Sequence, residues 1–279
     1  MNYGIVAEFN PFHNGHKFLI DSVKGEGDTV TVVMSESFVQ RGECACVSPY
    51  TRTQMALKCG VDLVLSLPVP YATASAERFA LGGVSVLGGL GCVDALAFGS
   101  ESGNTEKLKK CADALVSDEF SDILEKYLND GVSFPVARQK AVEEISGSEF
   151  SEILSLPNNI LGVEYIKAIN KLGLNIGVKP ITRIGVDHDS KTSNGEFCSA
   201  SVIRENLIAG KFISEYLPED AREIMGKEIE NYKAPATVRN LETAIIYKLR
   251  SMSVEDFKEL PDVSEGLEYR LFDAVKNSS

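Results

Sequence analysis

The sequence predicts an α/β fold on a parallel sheet, and three observations carry that reading. Short runs rich in Val, Ile and Leu recur at residues 3–8, 29–34, 62–67 and 95–98, each bounded by Gly, Pro or polar residues. Stretches of helical length and punctuation lie between them, at 16–24, 49–59 and 75–90. Strands alternating with helices of that length form βαβ units, whose crossovers make neighbouring strands parallel. The composition agrees: 279 residues, 44% hydrophobic and 24% charged, lie near globular averages and exclude collagen-like, coiled-coil and disordered classes.

Each element has its own warrant. Residues 3–7 form an apolar run of strand length that meets Glu8, Asn10 and Pro11 at once, so the first strand ends there. The helix after the second strand has Ser48 as N-cap, Pro49 as first helical residue and Gly60 as its stop. From Asn104 to Gly173 the pattern is helical, punctuated by Gly131 and Pro135, with Ile160, Val163, Ile166, Ala168 and Ile169 on one apolar face. A further strand at 176–182 precedes a polar loop at 185–197, and Ser199 opens the next helix. Beyond about Asn206 every segment reads as an amphipathic helix, 238–250 for example. The length suits one large domain with an appendage, and the expected division is an α/β domain at 1–205 followed by a helical domain at 206–279. The charged helix 263–276 stops abruptly, so the reading expects a tail cut short of its natural length.

The formal charge of −12 argues against non-specific nucleic-acid binding, which rests on neutralising phosphates with Lys and Arg, yet leaves room for a local basic groove. No apolar run reaches the roughly 18 residues a membrane span needs, and no basic stretch followed by a long apolar one opens the chain. A soluble, cytoplasmic protein is expected. Six cysteines without a Cys-x-x-Cys, and only three histidines, make a zinc site of standard spacing improbable. Cys59, Cys92 and Cys111 stand in apolar stretches and read as buried thiols.

The most informative stretch is Ala7-Glu8-Phe9-Asn10-Pro11-Phe12-His13-Asn14-Gly15-His16. It joins a strand end to a helix start, where ligands of open α/β sheets bind. Two histidines three apart at a helix start face one side, and Gly15 would let the backbone approach a ligand closely. Their imidazoles can donate to phosphate oxygens while the free N–H groups of the first turn add positive potential. That suits charge stabilisation in phosphoryl or nucleotidyl transfer. Ordinary polar loop residues and a metal pair are the competing readings, the latter lacking further ligands in register.

His-x-Gly-His after the first strand resembles the signature of nucleotidyltransferases related to class I aminoacyl-tRNA synthetases. That likeness implies a Rossmann-like sheet with ATP held by this motif on its α- and β-phosphates. The same superfamily carries Ser-x-x-Ile-Arg at a helix start, and this chain has Ser199-Ala200-Ser201-Val202-Ile203-Arg204. Hydroxyls at a helix N-terminus with an arginine one turn later make a second phosphate clamp.

The chain further resembles the bacterial tRNA(Met) cytidine acetate ligases. The likeness runs in order through Ala7–His16, Ser37-Phe38-Val39-Gln40-Arg41-Gly42-Glu43, Thr51-Arg52-Thr53-Gln54-Met55-Ala56-Leu57, Phe98-Gly99-Ser100-Glu101, Pro157-Asn158-Asn159-Ile160-Leu161-Gly162 and Ile181-Thr182-Arg183, with traces at Glu265-Gly266-Leu267-Glu268. It implies an enzyme that joins acetate to ATP as acetyl-adenylate and then acetylates N4 of the wobble cytidine of elongator tRNA(Met). It also implies ATP contacts from Ala7–His16, Gly99, Asn158 or Asn159, and Arg183. His13 and His16 would be the catalytic pair, Ser201 and Arg204 would hold the leaving pyrophosphate, and Mg²⁺ would accompany the nucleotide.

Each position also has its own physical reading. Gly99 follows a strand and could admit adenine or ribose, or be a plain turn glycine. Asn158 or Asn159 could read a base edge or ribose, or cap the following helix. Arg183 could neutralise phosphate, stack on adenine or be solvated. Arg41 and Arg52 could contact RNA or pyrophosphate, or be solvated or paired with Glu43. His188 reads as solvated, and its polar loop as either a lid over ATP or a mobile linker. One departure stands out: Ser48-Pro49 occupies the place where the family carries an acid followed by a base. The alternatives are a small-molecule adenylyltransferase of the pantetheine-phosphate or nicotinate-nucleotide kind, and a non-catalytic module that binds ATP and RNA.

Overall fold

The computed structural model describes residues 1–183, 195–261, 263 and 266–277, apart from the Arg41 side chain. It divides into two compact units, Met1–Pro235 and Ala236–Ser279. In the first unit the strands β1 (Asn2–Ala7), β2 (Thr29–Ser35), β3 (Leu63–Leu67), β4 (Ala95–Ser100) and β5 (Gly177–Thr182) form one parallel sheet in the order β3-β2-β1-β4-β5. Expected strand positions agree with these to within a residue or two. α1 (Asn14–Val23), α2 (Pro49–Lys58), α3 (Val69–Ala72) and α4 (Ala76–Leu90) make the early crossovers. α5 (Thr105–Ala114), α6 (Asp118–Asn129), α7 (Phe134–Ser146), α8 (Ser148–Ser151) and α9 (Pro157–Lys171) fill the long helical stretch.

Alternation along the strands gives the sheet two cores. Val6, Val33, Leu96 and Phe98 face α4, α5 and α9, where they meet Phe79, Leu87, Leu108, Val163 and Tyr165. Ile5, Val32 and Ala97 face the other way, onto Ile20, Met55 and Ile203. Gly83 lets α4 press onto β1, since a Cβ there would stand 2.6 Å from the Val6 methyls.

The strand order places a switch point between β1 and β4, because the chain winds outward from β1 to β3 and then returns to β1's other side. β1 pairs with β2 along its whole length, but with β4 only at Tyr3↔Ala95 and Gly4↔Leu96. Beyond Gly4 the two central strands part, and a crevice opens at their carboxyl ends.

α10 (Ala200–Ile208) and α11 (Glu219–Glu230) belong to the first unit. Leu207, Leu217, Ala221 and Met225 are buried in the same core as Ile5 and Val32, so the compact unit runs to Pro235 and not to 205. In the second unit α12 (Glu242–Ser251), α13 (Val254–Lys258) and α14 (Leu267–Asn277) enclose Phe257, which meets Phe272 edge-on at 6.5 Å between centroids. Among the described residues no helix is long and apolar enough to cross a membrane. Cys59 and Cys111 are buried as expected; Cys92 is exposed, because it lies in the turn between α4 and β4.

Candidate active site

The loop from Glu8 to His13 leaves β1 at the crevice and is anchored from below by Phe9 and Phe12, both fully buried. Phe9 takes the left-handed conformation at φ 48°, a strained choice for a bulky residue, at a cost of order 1–2 kcal/mol. Packing of its ring against Phe12, 4.9 Å between centroids, helps hold it there.

His13 is the N-cap of α1. Its Nδ1 accepts from the Gly15 N–H at 3.0 Å, and His16 Nδ1 accepts from the His13 N–H at 3.2 Å. This is a capping box built from two imidazoles. It fixes the tautomer of both: with Nδ1 an acceptor, the proton of each neutral ring sits on Nε2. The rings stack at 3.8 Å, and both line the cavity described below. Burial, with the positive charges of Arg183 and Arg204 nearby, lowers the His13 pKa to about 3. Burial and His13 lower that of His16 well below the ordinary value. The pair is therefore neutral at pH 7 and donates N–H groups rather than carrying charge.

Gly15 has a different reason from the one its position suggests. A Cβ there would lie 2.8 Å from His13 Cε1 and 3.1 Å from Nδ1, so the glycine makes room for the capping imidazole. The spacing His-x-Gly-His is thus one local device.

A second wall comes from β4, β5 and α9, where two of the sequence blocks lock together. Glu101 accepts from the backbone N–H groups of Asn158 (3.3 Å) and Asn159 (2.8 Å) and from Asn158 Nδ2 (2.6 Å), capping α9 with a carboxylate. Asn159, 1% exposed, turns inward: its Oδ1 accepts from Ser100 Oγ at 2.7 Å and the Ser102 N–H at 3.1 Å. Asn158 lines the cavity with Gly99 and Arg183, whose NH1 reaches Asn158 Oδ1 at 3.4 Å. Gly99 is not demanded by packing. The nearest atom a Cβ would meet is Arg183 Cγ, at an ordinary 3.4 Å, and Gly99 lines the cavity.

The third wall is the start of α10. Ser199 is its N-cap, accepting from Val202 N–H, and its hydroxyl lies 3.0 Å from that of Ser201. In strict register with Ile203-Arg204 the serine of the motif is Ala200, so the hydroxyls come from the residues on either side. Arg204 donates from NH1 to the Asn10 carbonyl at 2.9 Å and lies 3.5 Å from Glu43.

These walls enclose a cavity of about 780 Å³, within the range of small-molecule sites. Of the residues singled out in the sequence, Ala7, Glu8, Phe9, Asn10, His13, Gly15, His16, Gly99, Asn158, Arg183, Ser201 and Arg204 line it. Pro11, Phe12, Asn14 and Asn159 do not: Pro11 and Phe12 are buried, and Asn14 donates to the carbonyls of Glu196 (2.8 Å) and Glu215 (3.1 Å). His188 and most of its loop lie outside the described residues, as does the Arg41 side chain.

Arg52 is no surface contact. It is 0% exposed and donates to three backbone carbonyls: Val47 at 3.3 Å, Glu8 just past β1, and Glu36 just past β2. Burial lowers its pKa to about 10, which leaves it charged at neutral pH. Sequence reasoning gave no role to Glu101, Thr73, Ser75 or Tyr165, the last three being cavity walls. Glu101 stood inside a recognised block, but its partners lie 57 and 58 positions away. Among the described residues no cluster of three His, Cys, Asp or Glu could hold a metal.

The model of the family described as HIGH Nucleotidyl Transferase matches residues 1–279. The tRNA(Met) cytidine acetate ligase of Thermoanaerobacter sp. (strain X514) is 40% identical over 278 residues, covering 97% of this chain and 69% of that protein. The chain belongs to the tRNA(Met) cytidine acetate ligase family of HIGH nucleotidyl transferases. The ligase of Caldicellulosiruptor saccharolyticus is 42% identical over 282 residues, again over 69% of its length. Crystal structures of Thermotoga maritima TmcAL, 36% identical, superpose with TM-scores of 0.92 (apo) and 0.90 (bound with alpha-thio ATP). They match all of this chain and 68% of theirs.

Proposed function

We propose that this chain activates acetate with ATP and transfers the acetyl group to N4 of the wobble cytidine of elongator tRNA(Met). An acetate oxygen attacks the α-phosphorus of ATP, the bond to the β-phosphate oxygen breaks, and acetyl-adenylate and pyrophosphate form. The cytidine amine then attacks the acetyl carbonyl, loses a proton, and AMP departs. The observation that carries the reading is the reciprocal cap of His13 and His16, which spends both Nδ1 atoms on backbone and leaves two neutral Nε2–H donors on one cavity wall.

Neutral donors suit this task. They stabilise charge that grows on the phosphate oxygens at the transition state, without the desolvation cost of a buried cation. Acetate is already an anion, so the first step needs no base, only alignment. Ser201 and Arg204 hold the departing pyrophosphate at the start of α10. Gly99, Asn158 and Arg183 receive the nucleoside at the other wall, where the missing Cβ of Gly99 leaves room for it. Asn10 also lines the cavity, and its Nδ2 is buried with no partner among the described residues.

The donor set fits ATP but builds no metal cage, so Mg²⁺ would travel on the phosphates and no step here is assigned to it. A cytoplasmic setting, where ATP and tRNA meet, belongs to the same proposal. The test is incubation with ATP, labelled acetate and a tRNA pool. Label in N4-acetylcytidine of elongator tRNA(Met) is expected. Acetate-independent ATP turnover with no label in RNA would overturn the reading.

A further inference from the structure

We propose that Glu101 sets the base selectivity of the nucleotide site by holding the Asn158 amide in one orientation, with its carbonyl toward the ligand. The inference rests on the ATP reading above and assigns what chooses adenine over guanine.

An asparagine amide presents a carbonyl acceptor or an amino donor depending on which way it is turned, and the two orientations have nearly the same shape. At Asn158 the choice is made by a neighbour. The Glu101 carboxylate oxygens act as acceptors toward three N–H groups, and Oε1 lies 2.6 Å from Asn158 Nδ2. The opposite orientation would set the amide oxygen against the carboxylate. The same carboxylate is itself immobilised, because its two oxygens also take the backbone N–H groups of Asn158 and Asn159 at the start of α9. The Asn158 oxygen is thus fixed as an acceptor. Arg183 NH1 approaches one side of it at 3.4 Å, and a second lone pair remains. Asn158 lines the cavity together with Gly99, which stands at the carboxyl end of β4.

A fixed acceptor there discriminates by chemistry. The exocyclic amino group of adenine can donate to it. Guanine carries a carbonyl oxygen at the same ring position and would place acceptor against acceptor, leaving both unpaired in a partly desolvated site. Glu101 itself does not line the cavity, so it acts through Asn158 as a positioning residue. A purely structural role as the cap of α9 predicts something else: loss of the cap would loosen the site for every nucleotide alike.

The experiment measures dissociation constants for ATP and GTP, without acetate or tRNA, in the intact chain and in two variants. The unaltered chain is expected to bind ATP at least about tenfold more tightly than GTP, the discrimination of one polar mismatch. Glu101→Gln puts an amide beside Asn158, so that Asn158 can turn over. ATP is expected to weaken by about tenfold while GTP holds or tightens, and the ratio collapses toward one. Asn158→Ala leaves both backbone bonds to Glu101 in place and removes the side-chain amide, taking away the acceptor together with the bonds to Glu101 Oε1 and Arg183 NH1. It is expected to lose ATP affinity with GTP unchanged, and it decides the question if Glu101→Gln does not fold. Equal weakening of ATP and GTP in either variant would overturn the proposal, as would an unaltered chain that binds both alike. An unaltered chain that binds neither would overturn the nucleotide reading beneath it.

Discussion

Gly15→Ala separates the fold of the α1 start from its chemistry. The added Cβ would lie 2.8 Å from His13 Cε1, against an ordinary contact of 3.4 Å or more, so the ring must recede by about 0.6 Å. It has little room to do so, being 8% exposed and stacked on His16 at 3.8 Å. Displacement breaks the cap from His13 Nδ1 to the Gly15 N–H, a loss of ~1 kcal/mol. Alanine in place of glycine inside the helix returns ~1 kcal/mol, so unfolding stability should change little. The cost falls on the ligand. A donor misplaced by half an ångström or so, in a site where ~1 Å costs about 100-fold, should lower acetate-dependent pyrophosphate exchange by about tenfold or more. Urea denaturation and ATP–pyrophosphate exchange on the same preparation measure the two effects. Exchange within about twofold of the unaltered chain would refute the argument that Gly15 exists to seat the His13 ring.

The neutral histidines also make stability depend on pH in a stated direction. Folded His13 titrates at about 3 and an unfolded histidine near 6.5, so between those values the unfolded chain binds the extra proton. Stability is full above about pH 6.5 and falls as pH drops through that window, by up to ~1.4 kcal/mol per pH unit for this group. His13→Asn, which keeps a capping side chain, should flatten that slope in denaturation curves taken from pH 7.5 to 5; an unchanged slope would contradict the neutral assignment. Arg52→Met strands the carbonyls of Val47, Glu8 and Glu36 and should destabilise the first unit by ~3–5 kcal/mol in urea unfolding, whereas a surface arginine would cost under ~0.5. Arg204→Ala removes both the phosphate partner proposed above and the bond to the Asn10 carbonyl. ATP affinity, read by calorimetry, should fall by about tenfold or more, and equal affinity would release Arg204 from the clamp.

Much of the architecture was legible because its signals are local. Strand runs, the Ser48-Pro49 helix start and the histidine pair are patterns among residues a few positions apart, and all of them stand in the structure. Five of the resemblance blocks likewise marked segments that border the cavity, while Thr51–Leu57, inside α2, did not. Their individual roles were not legible, as Asn158 and Asn159 illustrate. Adjacent and chemically identical, one lines the cavity and the other is sealed against Ser100 and Ser102. Arg52 likewise sat in a recognised block, yet nothing near it in the chain announced that carbonyls just past β1 and β2 would join that of Val47 around it.

From the sequence alone came the parallel α/β sheet, the two helix starts that border the cavity, and the family. Local hydrogen bonds and side-chain periodicity encode such features within a turn or a strand. Only the tertiary structure decided which amide lines the cavity, why Gly15 lacks a side chain, and that α10 and α11 belong to the first unit up to Pro235. Those outcomes depend on which groups distant in the chain compete for the same space and the same donors, and packing around the crevice resolves that competition.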